Sequence, residues 1–311
     1  MVVLSFMSVS KMKKFLIHLS IFFAIIILLD RAVGCFLNYC HNYSKGDQTK
    51  ALYDLCMKDE YDVLIMGSSQ AQHHYVADLL ADSLHQSVYN AGMDGYGIIM
   101  MNGIYQMISE RYSPKMIIYN VTPSFDCYRY TGDDNNKRYI TPLKPYYSHP
   151  KVKSIVDGVS PFESVKMLSW LYRYNTSFLN IIKNHYKAGV EIPNHGYEPL
   201  SGVMNYEPSS FYDGGEIDTV KVKYLREFMG CVKERGTELI MVISPRYGAT
   251  SSDTYSIVKD LCKEYNVTCL DHYTDSLFVE NKDFYEDPMH LNHTGATLFT
   301  KIIINQLINI K

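Results

Sequence analysis

The sequence predicts a three-layer α/β domain on a doubly wound, mostly parallel sheet of five strands, with one long insertion and an N-terminal transmembrane helix. Three observations lead there. Short apolar runs alternate with helical patterns, as in βαβ units whose sheet is buried on both faces. That rhythm breaks off at about residue 127 and resumes near residue 215. Finally, residues 15–29 read FLIHLSIFFAIIILL behind a basic flank of Lys11, Lys13 and Lys14.

Residues 1–14 are expected in the cytoplasm, because basic residues ahead of an apolar run hold that end inside. The 15 apolar-run residues span about 22 Å, short of a hydrocarbon core of about 30 Å. The membrane helix is therefore drawn over 15–36, with Lys14 and Arg31 snorkelling to the interfaces. Three fates are open to it: retention as a single-pass signal anchor, cleavage after Ala32-Val33-Gly34, or lipidation at Cys35. The charged flank favours the anchor, in the inner membrane, and each fate puts residues 37–311 on the extracytoplasmic or periplasmic side.

Residues 37–60 read as a polar, partly helical connector, and the domain as 61–311. Residues 62–66 form the first strand, ending in Gly67-Ser68-Ser69, and a helix follows over 75–84. Residues 87–90 are the second strand, opening into the glycine-rich stretch 90–97. A helix fits 98–111, and 115–121 is the third strand, closed by Pro123. The insertion, about 127–215, is rich in Tyr and holds most of the prolines, with a helix expected over 161–186. Beyond it come a helix at 218–235, a strand at 238–244, a helix at 253–265, a strand at 267–271 and a closing helix at 294–308. Long irregular insertions are usually covers or binding loops.

Composition narrows the function. Thirty Lys+Arg stand against 33 Asp+Glu, for a formal charge of -3, which argues against a nucleic-acid partner. The seven Cys show no zinc-ligand spacing, so no structural metal site is expected. Cys262 and Cys269 could pair after export, or serve as small buried hydrophobes. With 27 Tyr and one Trp, the aromatic groups are polar-tipped, which suits sugars and equally suits ordinary packing.

Ligands of open α/β sheets sit at the carboxyl ends of the strands, which selects the loops 67–70, 90–97 and 122–126. Ser69 lies between a strand and a helix, where outward backbone N–H groups favour developing negative charge. It is a candidate nucleophile, or Ser68 or Ser69 is a plain N-cap. The chain has no G-x-S-x-G elbow. His290 lies in Asp287-Pro-Met-His-Leu-Asn292, ahead of the last helix. Asp287 three residues earlier can hold its imidazole tautomer, or the segment is a surface loop with an N-cap at Asn292 or Thr294.

These blocks resemble the SGNH (GDSL-type) hydrolase superfamily, in its membrane-anchored cell-envelope branch. Gly67-Ser68-Ser69 stands for Gly-Asp-Ser, Asn90-Ala-Gly-Met-Asp-Gly95 for the second block, and Asp287-Pro-Met-His290-Leu-Asn292 for the last. The matches cover residues 62–126 and 238–308. The resemblance implies Ser69 as nucleophile, His290 as base, Asp287 as its orienter, and the N–H groups of Ser69 and Gly95 as an oxyanion hole. The third block departs from the pattern. Its Asn aligns with Ser124, which is expected to join Ser69 and Gly95 in the oxyanion hole; Asn120 lies four residues earlier, and loss of an Asn donor can cost roughly 10²–10³ in rate. The implied activity is acyl transfer or ester hydrolysis on a cell-envelope or exported polysaccharide, O-acetyl groups foremost, with no diffusible cofactor. The alternative is a non-catalytic glycan-binding or accessory protein for a membrane-bound O-acyltransferase.

Overall fold

The central strands leave no face for water. β1 (Val63–Gly67) and β3 (Met116–Asn120) are buried at every position, as befits a sheet covered on both sides. A computed structural model describes residues 9–129, 136–175, 177–186, 194–207 and 215–310. With β2 (Val88–Asn90), β4 (Glu238–Ile243) and β5 (Thr268–Asp271), these strands form an all-parallel sheet in the order β2-β1-β3-β4-β5. This is the doubly wound five-strand architecture the sequence predicts. The chain leaves β1 towards one edge and returns to pair β3 on its other side, so the strand order reverses between β1 and β3. In open α/β sheets ligands bind outside the carboxyl ends of the strands at such a reversal.

Helices α3 (Ser69–His74), α4 (Ala77–Leu84) and α12 (His293–Ile310) pack on one face, around Leu80, Phe299 and Ile303. Helices α5 (Ile98–Ser109), α10 (Thr219–Glu234) and α11 (Ser256–Tyr265) pack on the other, around Ile104, Phe228 and Leu261. A two-stranded hairpin, β6 (Tyr285–Asp287) and β7 (His290–Leu291), precedes α12.

Three sequence expectations need correction. The helix expected over 75–84 starts only at Ala77, as α4, behind a separate helix, α3, that the sequence reading did not draw. Tyr75 and Val76 are extended between them, because the Tyr75 hydroxyl is tied to Asn120 Oδ1 (2.6 Å) and the Val76 N–H to Thr300 Oγ1 (3.0 Å). The helix expected over 161–186 is broken into α8 (Pro161–Lys166), a 3₁₀ turn at Leu171–Tyr174 and α9 (Phe178–Tyr186). There the N–H groups of Trp170 and Leu171 donate to the Asp30 carboxylate instead of to their own helix. The connector begins inside a helix: α1 runs unbroken over Val9–Asn42, followed by α2 (Asp47–Met57). The insertion's tyrosines divide between the two uses the sequence leaves open: Tyr186 and Tyr206 are 68% and 49% exposed. Tyr139, Tyr146, Tyr147 and Tyr174 are buried between α7 (Pro150–Val159), α5, α2 and the end of α1, since burying a ring is worth more than leaving it wet.

Residues 15–29 of α1 project apolar side chains into open space, with Phe15 55% and Leu28 68% exposed. Cys262 and Cys269 are free thiols in contact with one another.

Candidate active site

The sharp turn after β1 sets the geometry. Gly67 has φ +140°, and a Cβ there would lie 2.4 Å from the Asn120 carbonyl on the paired strand, so only glycine fits. The chain then enters α3 at Ser69, leaving its hydroxyl partly exposed at the rim of the sheet. Neither serine caps the helix. Ser68 Oγ bonds Thr122 Oγ1 at 2.6 Å, and Ser69 Oγ lies 2.8 Å from His290 Nε2.

The β6–β7 hairpin supplies the partners. His290 Nδ1 donates to Asp287 Oδ2 at 2.7 Å, which leaves Nε2 free to accept from Ser69. The other carboxylate oxygen accepts the N–H groups of Met289 (2.8 Å) and His290 (3.0 Å). Burial pushes the Asp287 carboxyl up, but these bonds and the His290 charge outweigh it and hold it below the usual value. The same segment starts the last helix: Asn292 Oδ1 accepts the Gly295 N–H (3.1 Å), so an N-cap and a histidine relay coexist within three residues.

Around this relay lies a polar network the sequence reading missed. Gln70 accepts from Thr122 Oγ1 (3.1 Å) and Asn120 Nδ2 (3.2 Å), and donates to the Met289 carbonyl (3.1 Å). One amide thus couples the ends of β1 and β3 to the hairpin carrying His290. Asn120 lies at the buried end of β3 and accepts from the Tyr75 and Ser244 hydroxyls. Ser124 sits in α6 (Pro123–Asp126); its carbonyl accepts Lys221 Nζ (2.9 Å), and among the described residues no bond joins it to Ser69. Two side chains reach the turn around Ser69 from the end of β3 and the loop after it: Asn120, bonded to Gln70, and Thr122, bonded to Ser68 and Gln70. Asp126 fastens that loop, accepting from the N–H groups of Thr122 (2.7 Å) and Ile98 (2.8 Å). Gly95 has φ +74°, and nothing lies within 4 Å of where its Cβ would be. The N–H groups of Ser69 and Gly95 have no acceptor among the described residues.

Two more histidines flank the relay. His74 is fully buried and accepts the Leu291 N–H at Nε2 (3.0 Å). Burial first, then the neighbouring His290 and His73, hold it neutral, well below the ordinary value. His73 meets two acceptors, the Glu198 carbonyl (2.7 Å) and Asp94 Oδ1 (3.1 Å). Burial opposes its charge, yet those bonds outweigh burial and raise its pKa, so the ring beside His290, at 5.9 Å between centroids, favours the imidazolium. The signal for this network was in the sequence. Gln70, Gln72, His73 and His74 crowd one short helix after a wholly apolar strand, and a buried helix of that kind must satisfy its polar groups. Among the described residues no group of three His, Cys, Asp or Glu side chains could hold a metal ion.

Fold and side chains define a class: a doubly wound α/β protein with a serine–histidine–aspartate relay at the switch point of its sheet. No protein-family model and no curated protein matches the sequence. Solved structures similar to the chain include one named as a lipolytic protein of the G-D-S-L family from Desulfitobacterium hafniense, at 8% identity and a TM-score of 0.36, over 78% of this chain and 98% of that one. Another, from Streptococcus pneumoniae and named for platelet activating factor, matches at 13% identity and a TM-score of 0.39, over 89% and 98%. A third, named as an acylhydrolase from Bacteroides fragilis, matches at 11% identity and a TM-score of 0.36, over 86% and 90%.

Proposed function

We propose that this chain is an SGNH-type ester hydrolase or acyltransferase. The carrying observation is the continuous relay from Ser69 Oγ through His290 to Asp287, at 2.8 and 2.7 Å. Ser69 Oγ attacks the ester carbonyl carbon while its proton passes to His290 Nε2, and Asp287 stabilises the imidazolium. The oxyanion is met by the Ser69 and Gly95 N–H groups. When the C–O bond breaks, the alcohol leaves with the proton held by His290. Water or a sugar hydroxyl then gives its proton to His290 and takes the acyl group from Ser69, restoring the serine.

The substrate we infer is an O-acetylated cell-envelope or exported polysaccharide. Two observations support it. Beside the relay stand His73 and the exposed carboxylate of Asp94, a polar rim that suits a short acyl group on a hydroxyl-rich alcohol better than a long acyl chain. And α1 is retained as a signal anchor in this reading, with the domain outside the cytoplasm. Cleavage after Gly34 would remove Asp30, whose carboxylate holds the insertion at residues 169–171.

The test is hydrolysis of p-nitrophenyl acetate by the full chain in detergent, with Ser69→Ala beside it. Release that depends on Ser69, with labelling by a fluorophosphonate, supports acyl chemistry. Absence of both leaves the accessory role beside a membrane-bound acyltransferase. An oligosaccharide acceptor, followed by mass, separates transfer from hydrolysis.

A further inference from the structure

The insertion binds the base of the membrane helix through a set of contacts that no acyl chemistry requires. Gly34 of α1 lies so close to Trp170 that a Cβ would stand 2.3 Å from the Trp170 Cβ. Asp30 accepts the N–H groups of Trp170 (2.9 Å) and Leu171 (3.2 Å), and Arg31 donates to the Leu168 carbonyl (2.8 Å). Residues 168–171 are thereby fixed beside Asp30 and Arg31, where the apolar stretch 15–29 ends. At that same height the insertion bares large apolar side chains to solvent: Phe162, Val165 and Leu168 are 71%, 64% and 68% exposed. Exposed apolar groups next to a membrane helix are explained by a bilayer surface lying against them.

Beside this patch is an open cleft of about 450 Å³ lined by Arg31, Lys153, Arg173, Val165, Leu168 and Trp170 among others, with no carboxylate in its lining. Its cations alternate with aromatic rings. The Arg31 and Arg173 guanidinium carbons lie 5.1 and 5.4 Å from the Trp170 ring centroid, and Arg173 and Lys153 lie 5.3 and 4.9 Å from that of Tyr147. The Arg173 Nε is buried and has no hydrogen-bond partner among the described residues. Asp30 is shared among the amides of Trp170 and Leu171, the Ser169 hydroxyl and Arg31 Nη1 (3.4 Å), and Asp157 pairs with Lys153, which leaves Arg173 as the cation of the cleft with no carboxylate partner among the described residues.

We propose that this cleft is a binding site for the phosphate headgroup of an anionic glycerophospholipid in the leaflet from which α1 emerges. Arg31, Arg173 and Lys153 face the phosphate, while Phe162, Val165 and Leu168 enter the upper acyl region. Bidentate guanidinium contacts suit a phosphate, and the apolar rim suits the chains attached to it. The bound lipid sets the tilt of the domain over the membrane and so the height of Ser69 above it. This inference rests on the reading of α1 as a retained anchor.

The experiment reconstitutes the full chain in nanodiscs of equimolar phosphatidylcholine and phosphatidylglycerol, re-extracts it and counts retained lipid by native mass spectrometry. The wild type should retain phosphatidylglycerol in preference to phosphatidylcholine. Arg173→Gln should lower that preference about five-fold, and Arg173→Gln with Lys153→Gln more than about tenfold. Arg173→Lys, which keeps the charge, should retain most of it, and circular dichroism confirms that each variant is folded. A folded double variant with wild-type preference overturns the proposal. So does inorganic phosphate displacing phosphatidylglycerol at low millimolar concentration, which would mark a site for the soluble ion. Carbonate extraction of native membranes separates the two readings. A chain released by carbonate refutes the anchor and this site together; a chain that stays inserted without enriched phosphatidylglycerol refutes this site alone.

Discussion

Replacing Asp287 by Asn tests the relay at the link furthest from Ser69. The carboxylate accepts three donors: His290 Nδ1–H at 2.7 Å and the N–H groups of Met289 and His290 at 2.8 and 3.0 Å. An amide oxygen can keep the two backbone donors, so the hairpin turn survives. The amide NH₂ then faces Nδ1, which must become an acceptor, and the ring proton moves to Nε2. That nitrogen lies 2.8 Å from Ser69 Oγ and can no longer take its proton. The expected loss is about 10⁴ in kcat, or about 5.5 kcal/mol of transition-state stabilisation. KM should hardly move, because Asp287 is one residue removed from the substrate. The assay is ester hydrolysis by the full chain, wild type against Asp287→Asn, with thermal unfolding to show that both are folded. A folded Asp287→Asn chain within tenfold of wild type, when Ser69→Ala is inactive, would refute the assignment of His290 as the base.

Three further outcomes follow from the geometry. Gly67→Ala places a Cβ against the Asn120 carbonyl at φ +140°, costing about 2 kcal/mol or more, read as a lowered unfolding midpoint together with reduced hydrolysis. His73 should titrate by NMR above its ordinary value of 6.5, and Asp94→Asn should bring that midpoint down. Because the folded pKa is raised, the stability His73 gives is full below 6.5 and is lost as pH rises through the folded midpoint. The deficit of His73→Gln should therefore be largest in acid and shrink above neutrality; a deficit independent of pH would contradict the charged assignment. Asp30→Ala removes the acceptor for Ser169, Trp170 and Leu171, a loss of about 3 kcal/mol. Trypsin should then cut after Arg173 about 10²-fold faster, and an unchanged rate would show that α1 does not hold the insertion.

Much of this molecule is written locally. The buried strand Val63–Gly67 is wholly apolar and Met116–Asn120 carries polar atoms only at its last two residues, so their runs and length reveal a parallel sheet without reference to the rest of the chain. The pairing of Asp287 with His290 is likewise local, three residues apart on one hairpin. What cannot be read locally is any contact whose partners lie far apart in sequence and whose side chains have ordinary alternative uses. Gln70 and Thr122 both looked like ordinary loop residues, yet the strand reversal between β1 and β3 brings their side chains together at 3.1 Å. The insertion's tyrosines were equally consistent with display or burial; the burial of Tyr139, Tyr146, Tyr147 and Tyr174 against α1, α2 and α5 is decided by which surfaces the folded chain leaves uncovered. The helix over 161–186 is broken by an acceptor about 140 residues upstream, Asp30, which no propensity along the segment encodes. Sequence by itself determined the sheet, the apolar N-terminal helix and the residue types of the relay, because each is a short-range pattern of burial or spacing. Only the tertiary structure decided the polar network beneath Ser69 and the clamp on α1, because both are satisfied by groups that the chain brings together from a distance.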